Sequence, residues 1–176
     1  LVVGTMLISL LKHSDRVRMA CQAQLVNVIA PIMTATGGGV YRQTIFYPYL
    51  HASRFGRGVA LDLNVVSPTY EDKEFDAVPC LDAVGVWNPE DDGITVFAVN
   101  RSLTETLTVD IDARDFDGHI ATEHVTLTHE DLKARNTLDR PDTVTPGSAP
   151  PPDVEDGRAQ LSIAPASWNV VRFGPA

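Results

Sequence analysis

The sequence is short of most features that mark a function outright. It holds only two cysteines, Cys21 and Cys80, far apart and inside apolar stretches. A disulfide framework and a C-x-x-C redox or zinc motif are thereby excluded, and the expectation is two buried free thiols. Basic residues are outnumbered, 14 Lys and Arg against 23 Asp and Glu, for a formal charge of −9. An acidic chain with no Lys/Arg stripe repels phosphate, which removes nucleic acid as a partner. The apolar run Leu1–Leu11 falls short of the ~20 residues that span a bilayer, and it lacks the basic flank and small-residue cleavage site of a secretory signal. The sequence thus points to no membrane partner, and the expected location is cytoplasmic. Absent too are G-x-S-x-G, H-E-x-x-H and a Gly-rich phosphate loop, so serine-hydrolase, zincin and nucleotide chemistry lose their support, and no cofactor is expected.

What is present is ordinary globular material. With 44% hydrophobic and 21% charged residues the chain has apolar surface enough for a core. It starts at Leu1, with no Met, directly in an apolar segment, an abrupt opening that suggests an interior cut. Leu1–Lys12 is apolar on nearly all sides and is stopped by His13-Ser14-Asp15, which predicts a buried helix. Val17–Cys21 predicts a short buried strand. Gln22–Thr34 mixes Gln22, Gln24 and Asn27 with apolar residues and Pro31, and reads as a loop with one helical turn. After a flexible tip at Gly37-Gly38-Gly39, a spaced apolar and aromatic pattern from Tyr41 to Phe55 predicts a kinked or late-starting helix around Pro48, ending at Gly56.

Beyond residue 57 the texture changes to short apolar or alternating runs separated by turn clusters. They cover Val59–Ser67, Leu81–Trp87, Gly93–Asn100, Glu105–Ile111, Ile120–Leu127, Gln160–Ala164 and Ser167–Phe173. Asn88–Gly93 carries an Asp-Gly hairpin signal. This spacing predicts an antiparallel β-sandwich over residues 58–176. Thr128–Asp131 has capping-box spacing and predicts a brief helical turn, and Pro146–Arg158 predicts an extended surface loop. The segment 1–57 is too small to bury a core of its own and must pack on something.

The segments Asp15–Thr34 (DRVRMACQAQLVNVIAPIMT) and Arg42–Gly56 (RQTIFYPYLHASRFG) resemble the end of the catalytic barrel in α-L-arabinofuranosidases of glycoside hydrolase family 51. Ser67–Tyr70, Leu81–Val84, Phe97–Glu105 (FAVNRSLTE) and Ser167–Val170 extend the resemblance over almost the whole chain. The family implies a mainly β fold: a C-terminal, jelly-roll-like antiparallel β-sandwich preceded by the last βα unit of a (β/α)₈ barrel. On that map residues 1–57 are the seventh barrel helix, the eighth strand (Val17–Cys21) and the eighth helix (Arg42–Phe55), and 58–176 the sandwich. Such enzymes resemble other retaining glycosidases in using two glutamates about 5–5.5 Å apart. The family places them after strands four and seven, upstream of residue 1, and no glutamate occurs here before Glu71.

Barrel active sites gather at the C-terminal ends of the strands, so the loop after Val17–Cys21 should face substrate. Gln22, Gln24 and Asn27 are its candidates, because an amide both donates and accepts hydrogen bonds to sugar hydroxyls without titrating. The resemblance singles out Gln24 as the substrate contact, leaving Gln22 and Asn27 with loop capping as their expected work. His51 is expected as a surface or interface group rather than a catalyst. His119, His124 and His129 fall on alternating faces and argue against a shared metal, while Asp112, Asp115 and Asp117 lack a calcium-loop pattern and read as a solvated turn. Glu90-Asp91-Asp92 likewise reads as a turn rather than a catalytic carboxylate pair. Asn100-Arg101-Ser102 is a glycosylation sequon, with meaning only in a secreted protein. Trp168 is expected in the core, and Trp87 either there or on a sugar-stacking surface.

The resemblance implies the C-terminal fragment of an exo-acting, retaining α-L-arabinofuranosidase on arabinose-containing oligosaccharides, inactive alone and part of a homo-oligomer. A carbohydrate-binding or purely structural sandwich module is the alternative. The apolar faces of Leu1–Leu11 and Leu25–Met33 are expected to drive association.

Overall fold

The computed structural model describes residues 1–176 as two helices and thirteen short or medium strands, all paired antiparallel. Helix α1 is Val2–Lys12, followed by the hairpin β1 (Ile32–Thr34) and β2 (Val40–Arg42), and then helix α2, Phe46–Phe55. Pro48 sits in the first turn of α2, where its missing N–H is not needed, so it opens that helix instead of breaking it. The strands that follow are β3 (Val59–Leu61), β4 (Thr69–Tyr70), β5 (Val78–Pro79), β6 (Leu81–Asn88), β7 (Gly93–Asn100), β8 (Leu107–Asp112) and β9 (His119–Leu127). The series closes with β10 (Gly147–Ala149), β11 (Val154–Glu155), β12 (Arg158–Ile163) and β13 (Ser167–Pro175).

Six strands form one sheet in the order β10-β9-β13-β7-β6-β3, and a second sheet of three runs β11-β12-β8. Side-chain alternation sorts the large sheet into two apolar faces. Ile94, Val171 and Phe173 meet Ala159, Leu161 and Ile163 of the smaller sheet, which is the sandwich core. On the opposite face Val84, Val86, Phe97, Val99, Trp168 and Val170 pack against Ile8 of α1 and Tyr47 of α2. A sheet covered on both sides needs apolar residues at nearly every position, and Ser167–Val171 is indeed buried without interruption. A single hydrophobic cluster runs across residue 57, joining Ile8 and Tyr47 to the sheet.

Trp168 fastens the two parts. Its ring is 1% exposed and stacks on Phe97 with centroids 5.6 Å apart. Its indole N–H donates to Nδ1 of the buried His51, 3.1 Å away on α2. Helix α1 comes so close that a Cβ on Gly4 would lie 2.6 Å from Trp168 Cε3. At the rim Asp82 of β6 receives both Lys12 of α1 and Arg101 at 2.6 Å, and the Arg172 guanidinium lies 4.5 Å from the Phe55 ring centroid.

Several expectations are corrected. Val17–Cys21 forms no strand, because a strand exists only through its ladder partners and no other strand pairs with these residues; Val17 N instead donates to His13 O. Cys21 is consequently exposed, whereas Cys80 is buried; both are free. Gln22–Thr34 contains no helical turn and ends in β1. Of the run Val59–Ser67 only Val59–Leu61 pairs, as the edge strand beside β6. Thr128 does not cap a helix: its hydroxyl donates to Pro165 O, and one isolated turn closes from Ala134 N to Asp131 O. The Pro-rich stretch contains β10 and β11 in place of one extended loop, and β11 turns into β12 through Asp156-Gly157, both at positive φ. That two-residue connection with left-handed residues is the type I′ hairpin that Asp-Gly favours.

Two consequences are measurable. Gly4→Ala should destabilise the chain by about 1–3 kcal/mol in urea unfolding despite alanine's helix preference, because the new methyl meets a wedged indole. His51 is held below the usual histidine pKa by burial, opposed by Glu123 and reinforced by Arg54. A depressed folded pKa means that the unfolded chain takes up the proton first. Stability contributed by neutral His51 is then complete above about pH 6.5 and is lost as pH falls through the folded value. The difference in urea midpoint between the parent and His51→Gln should accordingly depend on pH across this window, with the parent losing more on acidification.

Candidate functional site

Helix α1 ends at His13, whose backbone N–H donates to Leu10 O, and the chain then runs past α2, where the Tyr49 hydroxyl donates to Ala20 O at 2.8 Å. A groove of about 350 Å³ lies between these segments, lined by Leu7, Leu10, Leu11, Val17, Met19 and Tyr49 among others. Its lining mixes these apolar side chains with Ser14, Arg18, Ser53 and Arg57 and holds no amide or carboxylate side chain. The polar candidates lie just beyond it, in the loop 22–31.

That loop is unusual in its backbone. Gln24, Asn27 and Val28 all have positive φ, at 62°, 63° and 57°. For Asn this is tolerable, but a β-branched Val in the left-handed region costs on the order of 1–3 kcal/mol and persists only where its surroundings overdetermine it. The surroundings are visible. Val26 bridges Ile32 in parallel, and Asn27 N donates to Ile32 O at 2.8 Å. The Asn27 side chain accepts from Thr34 N at 2.7 Å and donates to Thr34 Oγ1 at 2.8 Å. Ala30 is fully buried; its carbonyl accepts from Gln43 Nε2 at 2.6 Å, while Gln43 N donates to Pro31 O at 2.8 Å.

The three amides therefore have different positions. Asn27 is consumed by its own loop as a clip on β1. The Gln22 carbonyl oxygen is shut away from solvent without a donor. Gln24 is exposed at the crest, and its side chain engages no protein group. Around it Met19, Leu25, Val28 and Ile29 are 82%, 79%, 77% and 60% exposed, an apolar surround for one outward amide.

The other candidates are placed apart from this loop. His119 bonds Asp92 O at 2.7 Å, His124 pairs with Asn169 Oδ1 at 3.2 Å in the interior, and His129 Nδ1 accepts from Asp131 N. Asp112 is paired with Arg114 on the surface at 2.6 Å, whose hydrogen bonds hold its carboxyl down to about 2. Glu90, Asp91 and Asp92 form the β6–β7 turn, with Asp92 rather than Gly93 in the left-handed conformation. Trp87 is half-buried against the sandwich core and donates to Asp92 Oδ1 at 2.9 Å. Asn100 is fully buried and donates to Glu105, Ile163 and Ala164 carbonyls, which leaves its amide nowhere to carry a glycan. No helix is long and apolar enough to cross a membrane.

Comparison with known proteins adds what the geometry alone does not contain. The family model described as the α-L-arabinofuranosidase C-terminal domain matches residues 1–167. An intracellular exo-α-(1→5)-L-arabinofuranosidase of Halalkalibacterium halodurans is 51% identical across 99% of this chain and 34% of its own length. An exo-α-(1→6)-L-arabinofuranosidase of Bifidobacterium longum is 39% identical, across 97% and 33%. Among solved structures, a family 51 α-L-arabinofuranosidase from Bifidobacterium longum superposes with a TM-score of 0.91 at 37% identity, covering 98% of this chain and 33% of that one. The chain spans about a third of the length of the relatives it matches.

Proposed function

Because this chain belongs to the α-L-arabinofuranosidase C-terminal domain family, we propose that it serves as the C-terminal part of a retaining, exo-acting α-L-arabinofuranosidase. The enzyme releases terminal arabinofuranosyl groups from arabinose-containing oligosaccharides in the cytoplasm. The observation that carries this reading is the match to relatives with those activities over 97–99% of the chain. Relatives named for 1→5 and for 1→6 linkages match over the same region.

In this reading the acid/base and nucleophile glutamates come from barrel strands beyond these 176 residues, and this chain contributes Gln24. Its outward amide donates to and accepts from hydroxyls of the bound arabinose. Hydrogen bonds of this kind strengthen as positive charge builds on the ring in the transition state. The strained, clamped loop supports the assignment, since backbone strain of this size gathers at functional sites. The exposed apolar residues around it, with Val2 and Met6 on α1, form a surface that seeks cover. We assign to that surface the packing of the rest of the enzyme and association into a homo-oligomer.

The chain alone should not turn over a nitrophenyl arabinofuranoside, whereas the polypeptide carrying it together with the catalytic barrel should. In that polypeptide Gln24→Ala should lower kcat/KM by about tenfold to a hundredfold, the worth of one or two sugar hydrogen bonds. Turnover by the isolated chain, or an unchanged kcat/KM for the variant, contradicts the proposal. Light scattering of the isolated chain should show self-association through the uncovered face, and a monodisperse monomer counts against that part of it.

A further inference from the structure

We infer that Asn136, in the excursion between β9 and β10, is a positioning residue for the Gln24 loop. The inference rests on the reading of Gln24 as a sugar contact, and it gives the sandwich a part in setting that contact.

Asn136 is 4% exposed and divides its amide between two tasks. Its oxygen accepts from Val144 N at 2.7 Å and its nitrogen donates to Val144 O at 2.9 Å, closing the excursion on a residue of the helix-facing core. The same nitrogen also donates, at 2.9 Å, to Arg42 O, a backbone carbonyl 94 positions earlier in the sequence. Arg42 C=O and Gln43 N–H belong to one planar peptide unit. Its oxygen is held by Asn136, and its N–H donates to Pro31 O. Gln43 then adds its side chain to Ala30 O. Ala30 N donates to Asn27 O, Asn27 clips Thr34, and Gln24 lies three residues upstream.

A second contact runs alongside. The hairpin tip rests on the excursion so closely that a Cβ on Gly39 would lie 2.8 Å from Leu138 Cδ1. The left-handed residues of the loop need such external support, and every bond between Asn136 and Asn27 is short. Were Asn136 only the closure of its own excursion, the bond to Arg42 would carry no consequence beyond Val144.

Two variants separate these cases. Asn136→Asp keeps the size and the acceptor for Val144 N but removes both donations, to Arg42 O and to Val144 O. Gln43→Ala leaves the Val144 pair and the bond to Arg42 O intact and removes the next link toward the loop, the side-chain donation to Ala30 O. In the 176-residue chain both should speed amide exchange at Gln43, Ala30 and Asn27 by roughly tenfold, the worth of about one hydrogen bond, while β13 amides stay unchanged. In the polypeptide with the catalytic barrel both should lower kcat for a nitrophenyl arabinofuranoside several-fold with a smaller change in KM, because the contact they disturb strengthens in the transition state, and the double variant should be no worse than the more affected single one. Exchange that rises only around Val144 overturns the inference. If Asn136→Asp fails to fold, Gln43→Ala decides: unchanged exchange at Ala30 and Asn27 overturns it equally. If the exchange pattern is as expected but Gln24→Ala leaves KM and kcat untouched, the sugar-contact reading is what has failed, and the positioning role falls with it.

Discussion

The structure depends on the burial of one indole. Trp168 lies in the final strand, yet it is the floor on which the first helix rests and the donor that fixes the second. Gly4 is there because nothing larger fits beneath the ring, and His51, held below the usual histidine pKa by burial, offers Nδ1 as the acceptor the indole N–H needs. Without this contact the helices would meet the sheet through Ile8 and Tyr47, the half-buried Leu11, Phe46 and Phe55, and a rim of charged groups. Surface ion pairs of the Lys12–Asp82 kind contribute at most about 1 kcal/mol. The large apolar contact is what orients α1 and α2, and with them the chain between.

A second constraint follows from chain order. Strand β13 lies between β9 and β7 in the large sheet, so the sheet is complete only when the last segment is in place. Its two faces serve different neighbours, the smaller sheet on one side and the helices on the other. The sandwich is thus more than an appendage: its central strand is also the wall of the helical layer. From that wall the path to the candidate site is short, through Val144 and Asn136 to the β1–β2 hairpin and the loop it holds. The site consequently combines a loop from the beginning of the chain with support from its far end.

Much of this was legible in the sequence, and the failures have physical causes. The helices announced themselves by apolar content and by polar or glycine stops, and the long strands β6, β7, β9 and β13 by runs bounded with turn residues. Trp168 was placed in the core by the alternation around it. Val17–Cys21 has the composition of a buried strand but no partner here, and pairing is not a property of the segment itself. Cys21 was misjudged for the same reason. The Asp156-Gly157 hairpin was present as an Asp-Gly pair but was masked by the surrounding prolines. Among the site residues, the resemblance singles out Gln24, which is exposed. Asn136 and Gln43 could not be found, because their work depends on a contact 94 positions apart that no local pattern records.

The account as a whole treats residues 1–57 and the sandwich as one cooperative body, joined at Trp168, whose rigidity is passed to the Gln24 loop. The most direct measurement is equilibrium urea unfolding of the 176-residue chain, followed in parallel by indole fluorescence and by hydrogen exchange of the α1 and α2 amides. One coincident transition, with the helix amides opening together with those of β13, is the predicted result. Helices that open at low urea while β13 remains protected would contradict it.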